Sequence, residues 1–185
     1  MTIREPAAGR PRPPTRRPAG GSPPRSVWRV RVAVPGYVLD DDPARVDVGA
    51  AWAFLSTEAY WGRWRTRDVV EAQLASAWRL VGVYTQDAGA MVGFARAFSD
   101  GAATAYLADV YVLRGHRGRG LASALLTLMI DDGPGADFRW MLHTSDAHAL
   151  YEKAGFGPPN PSYLERPAPP SRAPLPPDQA LGEDR

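Results

Sequence analysis

The segment from Ala105 to Met129 constrains the fold of this chain more than any other stretch of its sequence. Residues Tyr106 to Val112 are mostly aromatic or β-branched and predict a strand, and a short loop rich in Arg and Gly follows them. The next large apolar residues recur at helical spacing: Leu121, Leu125, Leu128 and Met129. A helix that begins directly after such a loop offers free N–H groups and partial positive charge, so the segment predicts an anion-binding site.

Two common phosphate-binding patterns do not fit this loop. The P-loop requires Gly-Lys-Ser/Thr, whereas Gly120 is followed by Leu121 and Ala122. The dinucleotide fingerprint requires G-x-G-x-x-G, whereas the loop reads Gly115-His-Arg-Gly118-Arg-Gly120. An ordinary polar loop that opens a core helix is the alternative interpretation of the same residues.

Composition limits the remaining possibilities. The chain has 185 residues, 44% hydrophobic and 23% charged, which predicts one globular domain. It has no Cys, which excludes disulfides, thiolate metal sites and a cysteine-bound acyl intermediate, and with only three scattered His residues we expect no metal. Since no apolar run approaches the ~18 residues of a membrane span, we expect a cytoplasmic protein with no membrane partner.

The charge of the chain is unevenly distributed. Its net charge is +2, but residues 1–35 contain eight Arg and one Glu, so the centre is mildly acidic. The Arg/Pro-rich residues 1–26 and the Pro-rich residues 167–185 predict disordered tails around a domain at 27–166, with a possible extra strand at 27–34. A basic tail can contact nucleic acid, but a segment so rich in Pro and Gly is more often simply solvated, so we expect no such partner.

The rest of the domain alternates between strand and helix patterns. Further strands are predicted at Tyr37–Leu39, Leu80–Tyr84, Ala90–Phe98 and Arg139–Thr144, and in a last hairpin that begins at Phe156 and ends at Tyr163-Leu164. Further helices are predicted from a cap at Asp47 to about Leu55, from Thr66 or Asp68 to about Trp78, and from a cap at Asp146 through residues 147–153.

Two motifs in this order resemble one protein family. The segment Arg117-Gly-Arg-Gly120-Leu-Ala122 is similar to the R-x-x-G-x-G/A signature of the GNAT superfamily of N-acetyltransferases, and residues 150–156, LYEKAGF, are similar to the L-Y-x-x-x-G-F that closes most members. The resemblance extends from Tyr37 to Arg166. It implies an α/β (α+β) GNAT-like fold, with a mixed, mostly antiparallel central sheet and about four flanking helices. One departure is Thr144, where many members carry Asn.

The resemblance also implies a site for acetyl-coenzyme A (acetyl-CoA) as co-substrate. The strand backbone would follow the pantetheine arm, with the Val112 N–H as a candidate oxyanion donor, and the loop and the helix start would hold the pyrophosphate. The residues implied are Val110, Tyr111, Val112, Arg117, Gly118, Arg119, Gly120, Leu121, Ala122, Ser123 and Thr144. Tyr151 would protonate the leaving thiolate, or would only pack against the coenzyme.

Asp109 lies in the middle of a strand, where Asp is disfavoured, so its position requires a reason. A partly buried carboxylate has a raised pKa and can take a proton from the attacking amine. The alternatives are that Asp109 orders a neighbouring Arg or binds a cationic substrate group. His148 would be a second candidate base if it faced the cleft, although packing or exposure is the more common role of such a His.

Aromatic residues between the first two helices lie where GNAT enzymes form the acceptor pocket, although aromatic residues also serve as core. The candidate substrate-binding residues are Tyr60, Trp61, Trp64, Arg96, Asp100 and His148. Aromatic faces attract an ammonium group and Arg96 attracts a carboxylate, which favours an amino acid or a similar small amine as acceptor.

The leading hypothesis is therefore an acetyl-CoA-dependent N-acetyltransferase in which a small-molecule amine attacks directly within a ternary complex. The alternative is a non-catalytic acyl-CoA-binding sensor module. We expect a monomer or a homodimer.

Overall fold

A six-stranded sheet forms the centre of the computed structural model, which describes residues 30–166. In spatial order, which is also chain order, the strands are β1 (Val30–Val34), β2 (Tyr37–Asp40), β3 (Arg79–Thr85), β4 (Met91–Ser99), β5 (Thr104–Val112) and β6 (Arg139–Met141). Strands β1 to β5 pair antiparallel, and β6 pairs parallel with β5. The predicted mixed, mostly antiparallel sheet is confirmed.

Four α-helices flank the sheet: α1 (Val48–Thr57), α2 (Arg67–Ala75), α3 (Leu121–Met129) and α4 (His148–Lys153). Two predicted caps are confirmed, since Asp47 accepts a hydrogen bond from the Ala50 N–H at 2.9 Å and Thr66 accepts one from the Val69 N–H at 3.4 Å.

The predicted cap at Asp146 is wrong. Helix α4 follows Ala147, and the Ala147 N–H donates to the Thr144 hydroxyl at 3.1 Å. Either side chain is chemically able to cap a helix, but only the hydroxyl of Thr144 reaches this N–H.

The two faces of the sheet are covered by different helices. On one face, α3 buries its predicted apolar stripe together with Leu126, against strand residues that include Val81, Val83 and Val92. On the other face, α1 and α2 bury Phe54, Leu55, Val70 and Leu74 against Tyr84, Phe94 and Tyr111. A fully buried Leu or Phe contributes ~1.5–3 kcal/mol, so these two layers provide most of the force that holds the helices on the sheet.

A bulge interrupts the β4–β5 ladder beside the loop that precedes α3. Arg96 pairs with Ala108 and Phe94 pairs with Tyr111, so the single residue Ala95 faces two residues of β5. The first of these two is Asp109, whose φ of 54° is the only positive φ of a non-glycine residue between 30 and 166. A bulge turns side chains away from the regular alternation of a strand, and this one turns Asp109 into the protein.

The end of the domain differs from the prediction. The strand expected at Arg139–Thr144 ends at Met141, and residues 142–166 contain no strand, so the last hairpin is wrong. Pro158, Pro159 and Pro161 have no N–H to donate to a strand partner, and Leu164 is 92% exposed. The second helix also ends earlier than predicted, at Ala75.

Part of the predictions falls outside the described residues. Residues 30–34 of the possible extra strand are confirmed as β1, whereas residues 27–29 and the tails at 1–26 and 167–185 lie beyond the described range. The domain boundaries therefore stay predictions.

Candidate active site

A surface cavity lies where the Gly-rich loop connects the end of β5 to the start of α3. It is lined by Val112, Arg117, Gly118, Gly120, Leu121, Ala122 and Ser123. All seven belong to the residues that the sequence predicts for acetyl-CoA. The structure therefore brings the strand end, the loop and the first turn of α3 together around one space.

The loop has the backbone conformation that an anion site of this type needs. Gly118 and Gly120 adopt φ values of 75° and 76°, and a Cβ atom added to either would meet nothing within 4 Å. Gly120 is the N-cap of α3, so the N–H groups of the next three residues have no acceptor within the helix. These N–H groups, the helix dipole and the nearby Arg side chains make the cavity suitable for a pyrophosphate.

Two side-chain contacts fix the loop in place. The Arg117 Nε donates to the Val112 carbonyl at 2.8 Å, which ties the loop to the end of β5. The Tyr37 hydroxyl bonds to the Nδ1 of His116 at 2.8 Å, with the two rings edge to face. Sequence reasoning missed the second contact, because the two residues are 79 positions apart.

Asp109 lies at the centre of a buried ion-pair cluster. Arg65 donates to both of its carboxylate oxygens, at 3.0 and 2.8 Å, and the Arg96 Nε donates to one of them at 2.8 Å. Burial acts to raise the pKa of Asp109, but the hydrogen bonds and charges of Arg65 and Arg96 outweigh it and hold the pKa below its usual value. The raised pKa expected from the sequence is wrong. The geometry fits the alternative that Asp109 orders neighbouring arginines, because such a carboxylate is a weak base.

The cluster carries an excess of positive charge. It joins two guanidinium groups to one carboxylate, and the other partner of Arg65 is the neutral amide of Gln73, at 2.8 Å. Within residues 30–166, the terminal nitrogens of Arg96 donate to no acceptor. Sequence reasoning did not assign Arg65 to the site, although a carboxylate in mid-strand was a signal that a cation had to lie nearby.

The loop between α1 and α2 reaches the loop between β6 and α4. The Tyr60 hydroxyl accepts a hydrogen bond from the Ser145 N–H at 3.3 Å and also contacts the Ser145 hydroxyl. Trp61 is half-buried and lies edge to face with Tyr60, with ring centroids 4.9 Å apart. Trp64 is exposed, and its indole N–H donates to the Trp61 carbonyl at 3.1 Å.

Two predicted substrate residues have other surroundings. Asp100 lies in the β4–β5 turn, where one carboxylate oxygen accepts three backbone N–H bonds at 3.0 Å each, from Ala102, Ala103 and Thr104. That carboxylate therefore stabilises the turn. His148 is exposed at the first position of α4.

Tyr151 is half-buried on α4, with its ring edge toward Phe156 at 5.8 Å. Burial, followed by the charges of Asp146, Tyr60 and Tyr106, raises the pKa of Tyr151 to about 12. The phenol therefore keeps its proton at neutral pH and is able to donate it.

Residues 46–156 match the model of the Acetyltransferase (GNAT) family, which is more than half of the chain. The chain belongs to this family. It is therefore an acyltransferase, and acetyl-CoA is the acetyl donor that GNAT enzymes generally use.

Solved structures agree with the family assignment. A protein from Xanthomonas campestris pv. campestris that is assigned to the GNAT family is 34% identical, over 74% of this chain and 96% of that chain, with a TM-score of 0.68. Two others share the fold. A protein from Deinococcus radiodurans R1 is 24% identical over 75% of this chain and 94% of its own, with a TM-score of 0.57. A protein from Staphylococcus aureus is 21% identical over 72% and 98%, with a TM-score of 0.59. No curated protein matches the chain.

Between residues 30 and 166, no three His, Asp or Glu side chains are grouped so that they could hold a metal ion. No helix in that range is long and apolar enough to cross a membrane.

Proposed function

We propose that this GNAT enzyme transfers the acetyl group of acetyl-CoA to the primary amine of a small polar acceptor, by direct attack within a ternary complex. The observation that carries the proposal is the cavity at the start of α3, since its lining combines free N–H groups, two left-handed glycines and Arg117. Acetyl-CoA would supply the thioester to be attacked and the pyrophosphate by which it is held. Arg119 would add a further positive charge beside the cavity.

Direct transfer requires a nucleophile, a stabilised oxyanion and a proton for the leaving group. The amine nitrogen bonds to the thioester carbon, the carbon–sulfur bond breaks, and the thiolate needs a proton. Tyr151 would supply that proton, because its phenol is protonated at neutral pH. The Val112 N–H would stabilise the developing oxyanion. Since the chain has no Cys, no thiol is available for a covalent acyl-enzyme.

The charge around Asp109 favours an acceptor that bears an acidic group next to its amine. Arg96 is buried, belongs to a cluster with excess positive charge, and has terminal nitrogens that donate to no acceptor among residues 30–166. A carboxylate on the acceptor would complete its hydrogen bonds. The rings of Tyr60 and Trp61 would face the ammonium group. An amino acid or a similar amphoteric amine fits both requirements.

The test begins with the thermal midpoint of the full chain, with and without acetyl-CoA. A ligand that binds only the native state stabilises it by ~2.7 kcal/mol at a concentration 100 times its Kd, which raises the midpoint by several degrees. Ser123→Glu places a carboxylate in the cavity and should abolish this rise, while the helix N-terminus tolerates the new charge. Ser123→Gln has the same shape without the charge and should keep most of the rise.

The second step is thiol release from acetyl-CoA with a panel of amino acids and amino-acid amides. We expect release with at least one amino acid, and less with the matching amide, which lacks the carboxylate. A midpoint rise without thiol release from any amine would favour the sensor hypothesis. No rise at saturating acetyl-CoA would refute the proposed donor.

A further inference from the structure

Three side chains from distant parts of the chain form a hydrogen-bonded series where β5 and β6 separate. The Tyr106 hydroxyl lies 2.6 Å from the Nδ1 of His143, and the Nε2 of His143 lies 3.3 Å from a carboxylate oxygen of Glu165. Tyr106 is at the last paired position of β5 with β6, opposite Met141. None of the three belongs to the cavity at the start of α3.

The chemistry of the groups fixes where the protons lie. A Glu carboxylate is only an acceptor, so the Nε2 of His143 must carry the proton that is donated to Glu165. In the neutral imidazole the Nδ1 is then the acceptor, and the Tyr106 hydroxyl donates to it. The series therefore runs from the phenol O–H of Tyr106 through the imidazole of His143 to the carboxylate of Glu165.

This series is connected by contacts to residues that we propose for the acceptor, Arg96 and Tyr60. The Tyr106 ring stacks on Phe98, with centroids 4.8 Å apart, and the Arg96 guanidinium is 5.9 Å from the centre of the same Phe98 ring. Ser145, two residues after His143, contacts the Tyr60 hydroxyl. Contacts therefore link Tyr106 through Phe98 to Arg96, and through the segment 143–145 to Tyr60.

Burial is the main cause of the raised pKa of Tyr106, and the charges of Tyr163, Glu165 and Asp109 also raise it. Tyr106 in turn contributes to the raised pKa of Tyr151. A phenol with a raised pKa does not ionise alone near neutral pH, but it is able to pass a proton by gaining one as it loses another.

We propose that Tyr106 is the catalytic group that takes the proton from the protonated amine of the acceptor, and that His143 and Glu165 act through it. The amine N–H bond breaks and its proton moves to the Tyr106 oxygen, while the phenol proton moves to the Nδ1 of His143. The imidazolium is paired with Glu165. The amine keeps the electron pair with which it attacks the thioester. This step rests on the proposed function and supplies a base in place of Asp109, whose carboxylate is bonded to Arg65 and Arg96.

The competing explanation is a purely structural role, in which the hydrogen bond from His143 only holds Glu165 against the sheet. The two roles differ in their pH dependence. A base is needed only while the amine is protonated. Removal of the base should therefore lower the rate most at low pH, and the difference from the wild type should shrink as the pH approaches the pKa of the amine. Loss of a purely structural contact should lower the rate by a similar factor at every pH.

The experiment compares kcat/KM across pH for the wild type, Tyr106→Phe, His143→Gln and Glu165→Gln, with the most reactive amine of the panel above. His143→Gln keeps an acceptor for the Tyr106 hydroxyl but cannot hold an extra proton. We expect kcat/KM of His143→Gln and of Tyr106→Phe to fall about 100-fold near neutral pH, at the low end of the range for a general base. At high pH both values should approach that of the wild type. Glu165→Gln should lose less. Glu71→Gln, which removes a similarly exposed carboxylate from an ion pair on α2, should change nothing.

Nitrogen-15 NMR of the histidine imidazoles tests the Tyr106–His143–Glu165 series in the absence of an amine substrate. We expect neutral His143 to carry its proton on Nε2, and its Nδ1 shift to change in Tyr106→Phe. A proton on Nδ1, or a His143→Gln rate that matches the wild type or falls equally at all pH values, would overturn the relay while leaving acetyl transfer intact. No thiol release by the wild type would instead overturn the proposed function, and the catalytic role of the relay with it.

Discussion

Arg65 donates two hydrogen bonds to the carboxylate of Asp109, one to each oxygen, across 44 residues of chain. The pair joins the loop between α1 and α2 to the bulge of β5, and Arg96 adds a third hydrogen bond from β4. One carboxylate therefore holds the loop between α1 and α2, β4 and β5 together. Its two arginines also explain why an Asp occupies a left-handed position in the middle of a strand.

The first prediction concerns the loss of this carboxylate. Asp109→Asn leaves two buried guanidinium groups without a counter-charge, which costs ~3–5 kcal/mol when one partner of a buried pair is removed. Urea unfolding should show this loss of stability. The control is Glu71→Gln, which breaks the exposed Arg67–Glu71 pair and should cost no more than ~0.5 kcal/mol. Equal losses for the two variants would contradict the buried role of Asp109.

The second prediction concerns pH. Because the folded-state pKa of Asp109 lies below its unfolded value of ~3.9, the stabilisation it provides is complete above that value and is lost as the pH falls through the folded pKa. The wild type should therefore lose stability below about pH 4 more steeply than Asp109→Asn, which has no proton to take up at this site. Parallel stability curves of the two proteins below that pH would refute the assignment.

The third prediction concerns the glycine that begins α3. Gly120→Ala forces a Cβ into a left-handed conformation, which costs ~1–2 kcal/mol, and the relaxation of the loop should weaken acetyl-CoA binding. Gly89→Ala is the matched control, since Gly89 has a φ of 66° and equally open surroundings but lies in the β3–β4 turn. Calorimetric titration should find weaker binding only in Gly120→Ala, although both variants lose stability.

The fourth prediction concerns Tyr151. Its hydroxyl makes no hydrogen bond to any residue between 30 and 166, so Tyr151→Phe should fold with nearly unchanged stability. If the phenol protonates the leaving thiolate, kcat should fall by about 100-fold, the low end of the range for a general acid. Stopped-flow measurement of thiol release gives kcat, and the acetyl-CoA midpoint rise should persist. An unchanged kcat would indicate that Tyr151 only makes packing contacts and does not transfer a proton.

The sequence predicted best where local signals agree. Helix α3 combines an apolar stripe of period 3.6 with a glycine cap, and the loop before it carries a family signature, so their positions needed no knowledge of distant contacts. The hairpin strands β3 to β5 were predicted within two residues at each end, because β-branched and aromatic runs alternate there with turn residues.

The errors arose where distant or competing interactions decide the outcome. The Arg65–Asp109 pair and the Tyr106–His143–Glu165 series join residues that no local pattern relates. Thr144 and Asp146 both carry oxygens that could accept a hydrogen bond at the start of α4, and the backbone path brings only Thr144 to the Ala147 N–H. At the end of the domain, Phe156 and Tyr163 have the character of strand residues, but the prolines between them remove the donors that a strand needs.

The strand order has a consequence for how the protein assembles. Strands β3, β4 and β5 follow one another through short turns, so their contacts close small loops at little entropic cost. Strand β6 joins only after α3 has crossed the sheet, and it contributes three residue pairs. Strand β6 and the loop that follows it are thus expected to form last and open first. Hydrogen exchange should be faster in residues 139–141 than in residues 91–99.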